Sequence, residues 1–233
     1  MEKKTFRKPM IIAAMVLMVA LVVGMGAMTY SRYVTTTDLS SQQATVAQWG
    51  YVVTASSGEM FGTDYTKAND ATYSTVVADN GVAVVAASGN AVVAPGCSGR
   101  MVISVTGTSD VRAQLEFVVD TASSKDISVL VDDVAYNPIK WSFYHGSTAL
   151  VTDVTLAQLN SEIAALDPQL LAPGTETDEE YVISWKWDLT GGNDGADTAL
   201  GLSKAGKAYD TEKYTELKTE LALALSVTVK QVQ

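Results

Sequence analysis

The sequence predicts an all-β protein: a two-sheet antiparallel sandwich of jelly-roll type with one or two short helices, preceded by a signal-peptide helix. Three observations predict it. Residues 111–120 (VRAQLEFVVD) and 221–230 alternate apolar with polar side chains, the pattern of strands buried on one face. About eight to ten short β-prone segments, punctuated by Gly, Pro, Asn and Asp, follow one another over about 200 residues, the spacing of a sandwich. Helical spacing is clear in one short stretch, residues 155–167.

The chain opens with four cations, Lys3, Lys4, Arg7 and Lys8, and continues into an unbroken apolar run over residues 10–28. Basic, then apolar, then small residues is the order of an export signal. The run would be about 28 Å long as a helix, so it is also long enough to span a bilayer. Length therefore leaves both removal and retention as an anchor open. Gly24, Gly26 and Ala27 crowd its end, and Thr29-Tyr30-Ser31 places small side chains before a cut between Ser31 and Arg32. No lipobox follows the run, and it lacks the preceding cut and early Glu of a type IV pilin. The expected organisation is a signal peptide (1–31), an N-terminal arm (32–42) and one β domain (43–233).

The arm carries Arg32, Tyr33, Val34, Thr35, Thr36, Thr37, Asp38 and Leu39. Its aromatic and β-branched residues suit a pleated backbone. No Asn-Gly or Asp-Gly turn follows to fold it onto a neighbour. A strand without a hairpin partner is a template for another chain, so the arm is expected to join subunits.

Beyond the arm, residues 44–54 read as the first domain strand and 56–70 as a Ser/Gly/Thr/Asp loop. Residues 71–78 and 81–87 flank Asn80-Gly81, the strongest hairpin signal in the chain, and 91–94 form a short strand ended by Pro95-Gly96. Residues 99–106 (GRMVISVT) are a strand that Gly107–Asp110 turns, and 111–120 return beside it. Two further strands fall at 127–131 and 140–145, separated by Tyr136-Asn137-Pro138. Thr155 and Gln158 form a capping-box pattern, after which Leu156, Leu159, Ile163 and Leu166 share one helical face, and Asp167-Pro168 ends the helix. An acidic loop with Glu176, Asp178, Glu179 and Glu180 leads into a strand over 181–189 (YVISWKWDL). An Asn/Asp/Gly segment (191–198) and a helical or irregular stretch precede the closing strand, 217–232.

The balance of charge is acidic, 16 basic against 26 acidic residues and a net charge of −10, which argues against a nucleic-acid partner. Cys97 is the only cysteine, so no disulfide forms within the chain, and a structural thiol is expected. His145 is the only histidine, which excludes His-Glu-x-x-His zinc chemistry and leaves any Ser-His-Asp triad without identified partners. There is no phosphate loop or dinucleotide fingerprint, and nothing selects a carboxylate pair from the many acids. Residues 193–198 (NDGADT) could supply oxygens to a calcium ion, but an Asx-rich turn between strands is preferred. Trp185 and Trp187 share one face of their strand and are read as core, with sugar stacking as the alternative if they are exposed. No catalytic, cofactor-binding or metal-binding residue is assigned, and the chain is not read as an enzyme.

Several stretches together resemble the TasA/camelysin (CalY) family of exported biofilm-matrix fibre proteins. They are the junction TYS-RY (29–33), APGCSGRMVISVTGTSDV (94–111), YVISWKWDLTGGNDGADTALG (181–201) and LALSVTVKQVQ (223–233). The resemblance implies a secreted subunit of the extracellular matrix or cell surface, cut by a dedicated signal peptidase and assembled head to tail with copies of itself. Assembly would be by donor-strand exchange, Arg32 to about Gln42 lying beside the strands of the next subunit between its two sheets. Other matrix or cell-wall components are the further partners it implies. Some relatives are described as metallopeptidases, but no zinc-peptidase motif stands in this sequence and that activity is not carried over. The runner-up reading is a surface adhesin or carbohydrate-binding β-sandwich module tethered by its apolar N-terminal segment.

Overall fold

The computed structural model describes residues 34–38, 43–45, 50–56, 60–65, 77–78, 84–86 and 89–232. In chain order the strands are β1 (Val34–Asp38), β2 (Gln43–Thr45), β3 (Val52–Ala55), β4 (Val77–Ala78), β5 (Cys97–Gly107), β6 (Ala113–Val119), β7 (Ser128–Val131), β8 (Val134–Tyr136), β9 (Ile139–His145) and β10 (Thr148–Val154). Helix α1 (Leu156–Ala164) follows, then β11 (Gln169–Leu171), β12 (Thr177–Trp187), helix α2 (Asp194–Lys204), β13 (Tyr214–Lys218) and β14 (Leu225–Gln231). One sheet has the order β1-β14-β6-β11; a larger one runs β10-β9-β12-β5-β3-β2, with β4 also beside β5; β13-β7-β8 form a small third sheet. Every pairing is antiparallel. The described residues therefore form an all-β, sandwich-like unit with two helices.

Period-two alternation builds the core between the two larger sheets. Ala113, Leu115, Phe117 and Val119 of β6 are buried, as are Leu225, Val227 and Val229 of β14. From the other side come Ile103 and Val105, Trp141 and Phe143, and Tyr181, Ile183, Trp185 and Trp187. Phe117 joins the layers, its ring centroid 4.7 Å from that of Tyr181 and 5.0 Å from that of Phe143. Each such aliphatic or aromatic side chain contributes roughly 1.5–3 kcal/mol relative to exposure. Helix α1 forms where its sequence predicts: Thr155 Oγ1 accepts from the Gln158 N–H while Gln158 Oε1 accepts from the Thr155 N–H, and Leu156, Leu159 and Ile163 are buried.

Several expected elements differ in the structure. Residues 44–54 hold two strands, β2 and β3, which pair with each other. Gly50, at φ +69°, precedes β3, and its carbonyl oxygen lies 1.9 Å from where a Cβ on Gly107 would stand. Only glycine on both segments permits that crossing. The strand over 111–120 does not return beside 99–106, because both edges of β5 are occupied, by β12 on one side and by β3 and β4 on the other. β6 instead joins the opposite sheet between β14 and β11. Around Asn80-Gly81 the only described strand is β4, and residues 79–83 lie outside the described residues. Residues 91–94 are not a strand, although the Val92 N–H donates to the Gly62 carbonyl and the Val92 carbonyl accepts from the Tyr65 hydroxyl.

Further along, the acidic loop is largely β12, which begins at Thr177 and is held in register by its ladder with β5. The segment 193–198 opens α2 rather than turning between strands; Asp194 and Asp197 lie in its first turn, where carboxylates complement the helix dipole. The long closing strand is two, β13 and β14, with Leu221 and Leu223 between them partly buried against the core. Strands β8, β10 and β11 are additional.

Candidate functional site

The expected arm is described from Val34 to Asp38, and those five residues are β1. Arg32, Tyr33 and Leu39, and the expected cut between Ser31 and Arg32, lie outside the described residues, as does the apolar run at 10–28. Among the described residues no helix is long and apolar enough to cross a membrane.

β1 has a partner within its own chain, at the far end of the sequence. Its register on β14 pairs Val34 with Lys230, Thr35 with Val229, Thr36 with Thr228, Thr37 with Val227 and Asp38 with Ser226. In the sheet order β1 stands at the edge, so among the described residues it is laddered on one side only. Proximity in sequence could not reveal this pairing, since hairpin signals report only neighbours. β14 is a firm base for it. Leu225, Val227 and Val229 anchor its inner face in the core, its other edge is laddered to β6 over seven residue pairs, and Lys230 Nζ lies 2.8 Å from Glu116 Oε2 on the outside. After β1 the chain crosses to the other sheet, because β2 pairs with β3.

The remaining candidates resolve as packing. Trp185 is 1% and Trp187 5% exposed, so neither ring is a platform for sugar. Trp185 Nε1–H donates to the Met60 carbonyl at 2.9 Å, and its ring meets Phe61 and Tyr65. Cys97 is buried. His145 stacks on Tyr181 at 4.5 Å between centroids and its Nε2 contacts Glu179 Oε2. At α2, the Tyr136 hydroxyl donates to Asp197 Oδ1 at 3.0 Å; burial raises both the Asp197 carboxyl and the Tyr136 phenol above their ordinary ranges. No group of three or more His, Cys, Asp or Glu suited to a metal ion is found among the described residues.

The other feature that sequence reading misses is a shallow cleft of about 380 Å³ on the outer face of the larger sheet, across β5, β12, β9 and β10. Its signal is present in the alternate positions of β5, β9 and β12, where Arg100, Lys140 and Lys186 stand opposite the core-facing aromatics. No known protein family, curated protein or solved structure matches this chain.

Proposed function

We propose that the chain is an exported structural subunit that polymerises into extracellular fibres by exchanging its N-terminal strand between copies. The observation that carries the reading is β1: a strand at the start of the described chain and at the edge of its sheet, held by β14 alone. An edge strand joined on one side can leave and be replaced by the same segment of another copy, because the ladder made is identical. Each hydrogen bond in it contributes roughly 0.5–1.5 kcal/mol whichever chain supplies it. Concentration then decides between monomer and polymer. Exchange along one direction does not close, so filaments follow.

The resemblance to the TasA/camelysin family supports the same reading, and with it removal of residues 1–31 by a signal peptidase and residence in the matrix or at the cell surface. The adjacency of first and last strands, and connections such as β5 to β6 that cross between sheets, support a jelly-roll topology. The acidic charge supports partners other than nucleic acid. The test is deletion of residues 32–42 followed by negative-stain imaging of the purified protein. The mature protein, residues 32–233, is expected to form filaments and the deletion to remain in single subunits. Filaments that persist unchanged refute the proposal.

A further inference from the structure

On the outer face of the larger sheet the ladder sets residues in two neighbouring rows. Arg100, Ser184 and Ser142 form one; Ser98, Lys186 and Lys140 form the next. Strand and row spacings place the three cations within about 5–12 Å of one another at their Cα atoms. Lys140 and Lys186 stand directly opposite each other, an arrangement of like charges that destabilises a sheet unless an anion offsets it. Lys186 is offset, with Asp153 Oδ1 at 2.9 Å and Asp188 Oδ1 at 3.8 Å. Arg100 and Lys140 have no ion pair within 4 Å among the described residues, and Arg100 Nε is buried without a hydrogen-bond partner. Cations without a close ion pair are unexpected in a chain with ten more acidic than basic residues, and the nearest compensation for Lys140 is a longer-range attraction to Asp126.

We infer that this cleft binds an acidic saccharide, a sugar unit whose carboxylate sits between Arg100 and Lys140. A carboxylate on the outer nitrogens of the guanidinium supplies a charge-assisted contact that the chain itself does not give Arg100. The rest of the lining selects a sugar over a bare oxyanion. Asp153 and Asp188 would repel the higher charge of a phosphate more than a single carboxylate, and they can accept hydrogen bonds from the hydroxyl groups of a sugar. Ser142 Oγ already accepts from the Asp153 N–H at 3.2 Å, which leaves its own proton for a ligand oxygen. Tyr144, one row along β9, borders the cleft with an aromatic edge. The cleft volume suits one or two sugar rings rather than a folded partner. The inference is independent of strand exchange, since β5, β9 and β12 belong to the sheet that β1 does not join.

Calorimetric titration with tetragalacturonate tests it, with the methyl-esterified tetramer, inorganic phosphate and a peptide of residues 174–181 from this chain as parallel arms. Saturable binding of the free acid is expected, with no binding of the ester. Arg100→Gln and Lys140→Gln should each weaken binding about tenfold, the scale of one lost charge-assisted contact, while Lys207→Gln leaves it unchanged. Should Arg100→Gln fail to fold, Ser184→Glu, which adds a carboxylate to the cleft, should abolish binding and Arg100→Lys should retain part of it. Absence of binding, binding indifferent to these variants, or phosphate bound as tightly as the tetramer overturns the inference. Binding of the acidic peptide alone also overturns it, and makes the face a contact between copies.

Discussion

Asp126, at the entry to β7, offers the sharpest test of how this domain is held together. Burial pushes its carboxyl from an ordinary 3.8 up to about 6, against the pull of the Ile127 and Leu156 N–H groups and the Asn137 amide. Its Oδ1 is buried without a hydrogen-bond partner, and Asn137 Nδ2 reaches Oδ2 only at 3.4 Å. A folded-state value above the unfolded one means that the folded chain holds this proton more tightly. The stabilisation is complete below about pH 4 and is lost as pH rises through about 6. A gap of about two pH units corresponds to about 3 kcal/mol, and partial solvent contact reduces the expectation to about 1–2 kcal/mol. Asp126→Asn removes the charge and should therefore raise unfolding free energy at pH 7.5 by about 1–2 kcal/mol relative to its effect at pH 4. Urea unfolding followed by tryptophan fluorescence reads this directly, since Trp141, Trp185 and Trp187 are buried. The quantity is the difference between variant and parent at each pH, which cancels the titration of every other carboxylate. A difference that is the same at both pH values refutes the reasoning.

Gly99→Ala should cost at least about 3 kcal/mol, because the new Cβ would stand 2.2 Å from the Met60 carbonyl oxygen and 2.7 Å from Trp185 Nε1; the urea midpoint measures it. Thr155→Ala should cost about 1 kcal/mol by removing the Oγ1 half of the α1 capping box, the backbone N–H at 155 keeping Gln158 Oε1 as its acceptor, with no change in the denaturant slope. Inserting Gly-Ser-Gly-Ser between Ser40 and Ser41 should shift the protein modestly from monomer towards filaments, by lowering the effective concentration of the tethered strand, as read by light scattering at matched concentrations. A shift towards monomer refutes that account.

What the sequence disclosed was local, and what it concealed was pairing over distance. Alternation placed β6 and the inner face of β14, and Thr155 with Gln158 placed α1, because each pattern is complete within a few residues. β8 was missed because Asp132 and Asp133 turn the chain with both residues at positive φ, at 49° and 64°, where the familiar signal is Asn-Gly or Asp-Gly. β10 escapes the sequence reading as well: Gly146-Ser147 is a two-residue hairpin turn between His145 and Thr148, but register shifts along the strand and Asp153 at φ 55° blur the alternation. The helix at Asp194 was hidden by Asn, Asp and Gly, which favour turns unless burial decides otherwise, and here Ala196, Ala199 and Leu200 are buried. The candidate site divides the same way. β1 was visible as a strand, but its partner β14 lies at the opposite end of the chain. The cleft cations were visible one by one, and only the register of three strands unites them.

The length of the connection after β1 bears on whether that edge stays closed. Four residues, 39–42, join Asp38 in one sheet to Gln43 in the other. Covalent geometry limits the reach from one to the other to about 17 Å, while packed sheets lie about 10 Å apart. β1 and β2 approach within 8 Å at their Cα atoms, well inside that reach, so length alone does not strain the closed form. A ladder between copies has the same hydrogen bonds and the same register as the closed one, so contact energy cannot favour either. What separates them is the high effective concentration of a tethered strand, which favours closure, and the concentration of subunits, which favours exchange. Lengthening the connection lowers the effective concentration only slowly, roughly as the −3/2 power of length, so an insertion should shift the balance modestly towards exchange.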